Sequence, residues 1–459
     1  MFPKRGAESG GNSPAALFCC RLPSDACRLL PLPVQSARQG LDSRRGREYN
    51  PPRCIFCPPD FKMSDSPKPG LFRISFEKCC AVKLSFTDQW SFRITPARLL
   101  LSALAAAAGA VVIFRLLFGL GHVTNLSDQW PWGLWIGFDV LCGVALAGGG
   151  YGTALIIHIL HNHRLHAVAR ATMLTSLIGY LLVVVGLFIE IGRWWNFWVP
   201  VVSWGHDSVL FEVYICISLY TIVQTLEICE IVTEKVMRFL HPFFAAVLPV
   251  LLIIGVMLPT LHQSSLGGLY LMMDGKLHPL WWSPIIFVFF FLSSFFVGPA
   301  MIAVEGIVAY CAYGHLAPVP VLKTLARIGG VLMLIYLALK IGDLVYAGEL
   351  PLLAEGSFES YAFLAELGIG LVLPLIIVFS PLINYRGWII VYGLLTSFGV
   401  FFNRLNVVIT GMIRETGSIY YPAVSEVLVS TGLVCAGILG YMFMCENFNI
   451  LGEEEDHAS

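Results

Sequence analysis

Charge is scarce in this chain: only 13% of its 459 residues are Asp, Glu, Lys or Arg, where a water-soluble globule carries about 25%. With 57% hydrophobic residues and a mean hydropathy of +0.74, lipid is the main solvent. The length accommodates a bundle of spans of about 20 residues each and leaves little for a soluble catalytic domain. Histidine is sparse where a membrane cytochrome needs it. Of eleven His, only His158, His241 and His262 come near an apolar run, and no two are opposed, so a bis-histidine haem is not expected. Phosphate loops of the G-x-x-x-x-G-K-[ST] type, H-E-x-x-H and cluster-binding cysteine runs are missing as well. The thirteen Cys form no disulfide framework. Cys54 and Cys57 have C-x-x-C spacing without a second pair or spaced His, so no metal is expected. A formal net charge of -1 without basic tracts gives nucleic acid nothing to bind.

Residues 1–62 are rich in Arg, Pro, Ser and Cys and have no helical or strand period, which reads as a disordered extension or a mis-called start ahead of Met63. A cytoplasmic N-terminal segment follows over 63–96, then a membrane domain over 97–446 and an acidic tail over 447–459. Apolar runs of helix length lie near 97–118, 132–160, 168–190, 208–232, 239–261, 283–311, 321–346, 361–380, 387–405 and 422–445. Arg164, Arg170, Lys235, Arg238, Lys323, Arg327 and Arg386 fall in alternate connections, which makes those cytoplasmic. Trp194, Trp195, Trp198, Trp281 and Trp282 mark the opposite side as a headgroup belt. Both termini are therefore expected inside. Gly143, Ala147, Gly150 and Ala154 recur on one face of the second span, where small residues let helices approach. No internal repeat is evident.

Ionisable residues within spans cost several kcal/mol or more at mid-membrane, so each invites a functional reading, with local pairing as the plain alternative. Asp139, Glu190, Glu212, His262, Asp343, Glu366, Arg404 and Glu426 all fall near the non-cytoplasmic ends of their spans, with His262 expected to close the fifth. Pairing could account for Lys340 with Asp343 and for Arg193 with Glu190. The remainder reads as one polar pocket for a proton-coupled substrate. A quinone fits this description, because its carbonyls need hydrogen bonds and its reduction needs protons. Glu212 and His262 are the leading candidates. Glu212 and Glu230 stand about 27 Å apart along one helical face, with Glu227 slightly off it. Together with Tyr180 and Glu305 they outline a proton route.

PWGLWIGFDVLCGVALAGGGY (131–151) resembles the second helix of the NrfD or polysulfide-reductase membrane-subunit family. IGYLLVVVGLFIEIGRWWNFW (178–198), SVLFE (208–212), LPTLHQSSLGGL (258–269), HPLWWS (278–283), VEGIV (304–308) and FNRLNV (402–407) look like its NiFe hydrogenase-2 branch. The resemblance covers roughly 95–446. It implies an all-α integral membrane protein of about ten helices, two four-helix bundles plus flanking helices, free of haem, in the bacterial inner membrane. It implies menaquinone or ubiquinone as substrate near the periplasmic surface. The implied partner is a ferredoxin-like iron-sulfur subunit leading to a hydrogenase, a molybdoenzyme or multihaem cytochromes c. By motif, Tyr180, Glu212, His262 and Glu305 fall where that branch places quinone and proton-transfer residues, while Asp139 and Arg193 match recurring polar positions. A quinone-reactive subunit, not catalytic alone, is the leading reading. A secondary transporter or a proton-conducting membrane protein is the alternative, the transporter weakened because no matched Gly or Pro breaks interrupt corresponding spans.

Overall fold

In hydrocarbon every backbone N–H and C=O must be satisfied within its own segment, and the described residues form nine helices long and apolar enough to cross a bilayer, with one shorter apolar helix beside them. The computed structural model describes residues 72–77, 81–86, 90–160, 169–205, 207–313 and 319–450. The expected extension over 1–62, with Cys54 and Cys57, lies outside the described residues, as does most of the acidic tail.

The spans are α1 (Pro96–Phe118), α2 (Gly143–Leu160, entered through the π-helical turns Trp135–Cys142), α3 (Ala169–Glu190), α4 (Val209–Lys235) and α5 (His241–Leu269). They continue with α6 (Ile286–Tyr313), α7 (Val319–Ala347), α8 (Phe358–Phe379, with π-helical turns at Gly368–Val372), α9 (Arg386–Val408) and α10 (Val424–Asn447). Among the described residues, nine of these pass the length and hydropathy of a membrane crossing, and the apolar stretch Trp135–Gly150 accompanies them. The chain is a multi-pass membrane protein. Leu99, Leu117, Phe243, Ile253 and Met257 are among many large apolar side chains left exposed, as a lipid-facing surface requires.

Helices α2–α5 pack as one bundle and α6–α9 as a second, joined where α2 and α5 meet α6, while α1 and α10 pair with each other and lie on α3. Small residues set the closeness of these seams. An added Cβ on Gly149 of α2 would sit 2.4 Å from Cα of Gly298 on α6, so the two backbones touch there. Gly370 of α8 and Gly399 of α9 meet in the same way. The small-residue face of α2 lies on α3, with Gly143 against Val183 and Ala147 against Gly179.

Strands β1 (Phe72–Glu77), β2 (Ala81–Phe86) and β3 (Trp90–Ile94) form an antiparallel sheet in the order β1-β2-β3, ahead of α1. It is tied to the end of α10: Asn447 exchanges two hydrogen bonds with the Ser91 backbone, at 2.8 and 2.9 Å. Trp90 stacks on Phe443, and Arg98 pairs with Glu446 through both carboxylate oxygens.

The fifth span runs farther than its hydropathy suggested. Expected to end at His262, α5 continues to Leu269. LHQSSLGG looks like a loop by polarity, yet Ser264 and Ser265 donate to the carbonyls of Thr260 and Leu261 one turn back, which satisfies their hydroxyls inside the helix. Pro249 and Pro259 lie within the same helix, tolerated where neighbouring helices re-satisfy the freed backbone groups.

Candidate functional site

Because α5 runs on, His262 is fully buried inside the first bundle. Neither of its ring nitrogens has a hydrogen-bond partner. Tyr180 of α3, also fully buried, stands edge-on to it with ring centroids 5.9 Å apart, and the Tyr180 hydroxyl is likewise unpartnered. Tyr220 of α4 closes the group, 4.2 Å from the Tyr180 ring. An unmade hydrogen bond on a buried group costs about 1–3 kcal/mol. Three such atoms converging from two helices form an arrangement that packing alone does not favour.

Glu212 reaches this group from α4 by accepting a hydrogen bond from Ser265 of α5 at 2.6 Å, one turn beyond His262. The SVLFE and LHQSS motifs are thus brought together. Gln263 donates to the Val144 carbonyl at 2.9 Å, pinning α5 to α2. Gly148 leaves the space that Gln263 and the Tyr180 hydroxyl occupy, since a Cβ there would lie 3.0 and 3.3 Å from them.

Polar residues continue inward from Tyr220. Gln224 donates to Ser176 at 2.6 Å, and Ser176 donates to the Ala147 carbonyl. Glu227 follows one turn along α4, 1% exposed and with both carboxylate oxygens unpartnered. Glu230 lies a further turn on, its carboxylate 4.0 Å from His241 at the start of α5. Glu234 pairs with Arg170 at 2.8 Å at the same end. Glu305 of α6 accepts from Thr175, next to Ser176, at 2.6 Å. Ser176, Tyr220, Gln224 and Gln263 carried no expectation from sequence; polar side chains in mid-span were the signal that could have found them.

The remaining acids and cations do not join one pocket, as was expected of them. Asp139 accepts from Ser430 of α10 at 2.7 Å, and Arg193 is exposed in the loop after α3, so neither belongs to the His262 group. The cation beside Glu190 is Arg115 of α1, and its other charge neighbours are Glu426 and Asp139. Glu426 is held by Tyr420 and by the Asn125 backbone. In the second bundle, Glu366 accepts from Trp281, Asn403 and Asn406 at 2.7–2.9 Å. Asp343 takes the Ser283 hydroxyl at 2.9 Å, and the expected Lys340 partner instead lies over the Phe289 and Phe363 rings. Arg404 stacks on Phe290 and donates to Asn403 and Ser293. Sequence position along each helix put these groups at one depth, but helix rotation, which separates neighbours into different seams, was not visible there.

The two bundles share a layout. In each, the second helix supplies a buried Tyr, Tyr180 or Tyr336. The third helix supplies an acid held by the fourth: Glu212 by Ser265, and Glu366 by Asn403 and Asn406.

Comparison with known proteins places this arrangement. A protein of Nitratidesulfovibrio vulgaris, named only "Protein", is 32% identical over 79% of this chain and 96% of its own length. The "Probable Ni/Fe-hydrogenase 2 b-type cytochrome subunit" of Escherichia coli K12 is 31% identical over 76% of this chain and 91% of its own. The "Menaquinone reductase, integral membrane subunit" of N. vulgaris is 29% identical over 53% of this chain and 61% of its own. The b-type cytochrome name overturns the expectation of a chain without haem. That expectation counted opposed histidine pairs and left His262 at a helix end, whereas the fold buries it with both nitrogens available to a ligand. The model of the family "Polysulphide reductase, NrfD" matches residues 122–414, and with relatives above 30% identity along more than 90% of their length, the chain belongs to the NrfD family.

Proposed function

We propose that this chain is the quinone-reactive membrane subunit of an oxidoreductase complex, with its substrate held between Tyr180, His262 and Glu212. The observation that carries the reading is the buried, unpartnered set of Tyr180 hydroxyl and His262 ring nitrogens, one helical turn inward of the Glu212–Ser265 bond. A quinone presents two carbonyl oxygens that gain electron density on reduction. A hydroxyl and an imidazole N–H are suited to donate to one or both of them, and Glu212 is positioned to exchange a proton with the same site. The menaquinone reductase and hydrogenase subunits among the relatives support this substrate class.

Two electrons and two protons convert quinone to quinol. Electrons come from a partner, which we take to be a ferredoxin-like iron-sulfur subunit on the Trp194 side, fed by a hydrogenase, molybdoenzyme or multihaem cytochrome. Protons are supplied from the Arg170 side along Glu230, Glu227 and Tyr180, with Glu305 joining through Thr175. The same groups serve the reverse direction. We take the Trp194 side to face outward, into the periplasm of a bacterial inner membrane, because Arg170, Lys235, Arg238, Lys323, Arg327 and Arg386 gather at the opposite ends of the spans.

Glu212→Gln and His262→Ala should abolish quinone reduction by the isolated complex, because each removes a proton carrier or donor; recovery of the intact complex in each variant checks that the cavity left by the buried His262 ring is not the cause. Normal turnover in both variants would remove the proposed site.

The relative's cytochrome name supports a second reading, in which His262 ligates a haem iron. Its unpartnered nitrogens have the donor chemistry for that role. A bound haem would supply one-electron transfer. A reduced-minus-oxidised visible spectrum of the purified chain decides between the readings: a haem band lost in His262→Ala assigns the second.

A further inference from the structure

Loops at the Trp194 end enclose a pocket of about 430 Å3 that shares no residue with the proposed quinone site. Its wall comes from the connection between α5 and α6, from Glu349 just past α7, and from Arg414 and Glu415 beyond α9. Backbone bonds hold this wall in shape. The His278 N–H donates to the Gly411 carbonyl at 2.8 Å, which ties the first loop to the last, and the N–H groups of Trp281 and Trp282 donate back to the His278 carbonyl at 2.9 and 3.0 Å. The pocket is thus preformed, and its size lies within the roughly 300–1,000 Å3 of small-molecule sites.

Asp274, Glu349 and Glu415 line the pocket together with Lys276 and Arg414, and none of the ion pairs among the described residues includes any of them. Solvation accounts for exposed charges of this kind. It does not account for the indole N–H of Trp282, which is buried from bulk water and has no acceptor. His278, 5% exposed, accepts the Leu280 N–H on Nδ1 at 3.2 Å, which leaves its ring proton on Nε2. A wall with orphaned N–H donors and with both signs of charge, not closed on each other, suits a ligand that carries both an anion and a cation. The depth narrows the choice. Asp274 directly follows the apolar helix His241–Met273, Glu349 lies just past Val319–Ala347, and Arg414 and Glu415 fall in the last turn of Arg386–Thr416, which is the level of lipid headgroups. Met272, Tyr346 and Leu350 beside them are exposed and offer surface to acyl chains.

We propose that this pocket binds the headgroup of a zwitterionic phospholipid bearing a primary ammonium, an ethanolamine phosphodiester. Trp282, His278, Lys276 and Arg414 are the partners for the phosphate oxygens, and the acids of the wall are the partners for the ammonium, whose N–H groups make charge-assisted hydrogen bonds to carboxylates. Choline has no N–H on its quaternary nitrogen and leaves those acids without a donor. A glycerol headgroup brings no cation at all.

The test uses the full chain purified in detergent and titrated with dioleoyl lipids carrying ethanolamine, choline or glycerol headgroups, with bound lipid counted by native mass spectrometry. One ethanolamine lipid should be retained about tenfold more tightly than its choline counterpart, the scale of one hydrogen bond to a charged group. Trp282→Phe, which keeps a ring and removes the N–H, should weaken that binding by about the same factor. Glu349→Gln should erase the preference for ethanolamine over choline without weakening the glycerol lipid, and Arg414→Gln should weaken all three. Equal affinity for the three headgroups, unmoved by these substitutions, would overturn the site. Displacement of the lipid by water-soluble phosphoethanolamine at the lipid's own concentration would make the ligand a free phosphate ester and overturn the lipid. If no lipid binds, and Lys276 is shielded from an amine-reactive label only with the partner subunit attached, the pocket is a protein interface and the proposal fails.

Discussion

Replacing Gly298 with alanine tests the seam on which the two bundles meet. A Cβ on Gly298 would lie 2.1 Å from the Gly149 carbonyl oxygen, 2.5 Å from its carbon and 2.6 Å from its Cα. All three atoms are backbone, so no side chain can swing away, and α2 and α6 must part by about 1 Å to restore ordinary contact. Forced expansion of a packed core costs about 1–3 kcal/mol, and a helix–helix seam that must move as a unit belongs at the upper end. Gly149→Ala meets the Gly298 Cα at 2.4 Å and N at 2.6 Å, so it should cost a similar amount. Gly109 on exposed α1 has nothing within 4 Å of its added Cβ; alanine there should stabilise by about 0.5–1 kcal/mol through helix propensity alone. Thermal unfolding of the three variants in nanodiscs, followed by tryptophan fluorescence, ranks them. The double variant Gly149→Ala/Gly298→Ala should cost less than the sum of the singles, because the first substitution already opens the seam. A Gly298→Ala protein as stable as Gly109→Ala would refute the close backbone approach and the relative placement of the bundles.

Arg98→Met strands Glu446 at the base of α10, where both side chains are under 10% exposed, and should cost about 3–5 kcal/mol; restoring most of it with Glu446→Gln in the same chain, read by thermal unfolding, checks the cause. His278, in the loop after α5, has its proton affinity lowered chiefly by burial, with Arg414 lowering it further against the opposing pull of Glu359 and Glu355. Since the unfolded chain binds this proton more readily than the folded one, stability should fall as pH drops below about 6.5, the ordinary imidazole value. His278→Gln should flatten that part of a melting-temperature-against-pH curve. Gly148→Ala should press on Gln263 and the Tyr180 hydroxyl at 3.0 and 3.3 Å, lowering quinone turnover several-fold with little change in melting temperature; equal losses of both would mean that the site is only packing.

Sequence reasoning expected a single polar rim, and that rim is divided. Asp139, Glu190 and Glu426 are gathered in one seam, and Glu366, Asp343 and Arg404 have their partners in the second bundle. That expected collection therefore no longer supports a common pocket. What supports the quinone reading instead is the smaller group of Tyr180, His262 and Glu212, together with the relatives. Of the residues singled out from sequence, Tyr180, Glu212 and His262 come together, Glu227 and Glu230 lie farther along α4 with Glu305 against Thr175, and Asp139 and Arg193 lie elsewhere.

Hydropathy by itself determined that the chain crosses a membrane and, apart from the far end of α5, where its spans lie within a few residues, because lipid penalises every unpaired backbone group and charge in the same way along the whole chain. Motif likeness was also enough to indicate the family. Tertiary structure alone decided which polar groups share a seam. That depends on the rotation of each helix about its axis, on glycines such as Gly149 and Gly298 that let backbones touch, and on α5 continuing past His262 as its serines bond backward. None of these follows from a residue's depth along a span, and together they leave His262 buried with its nitrogens open while giving Glu366 three donors.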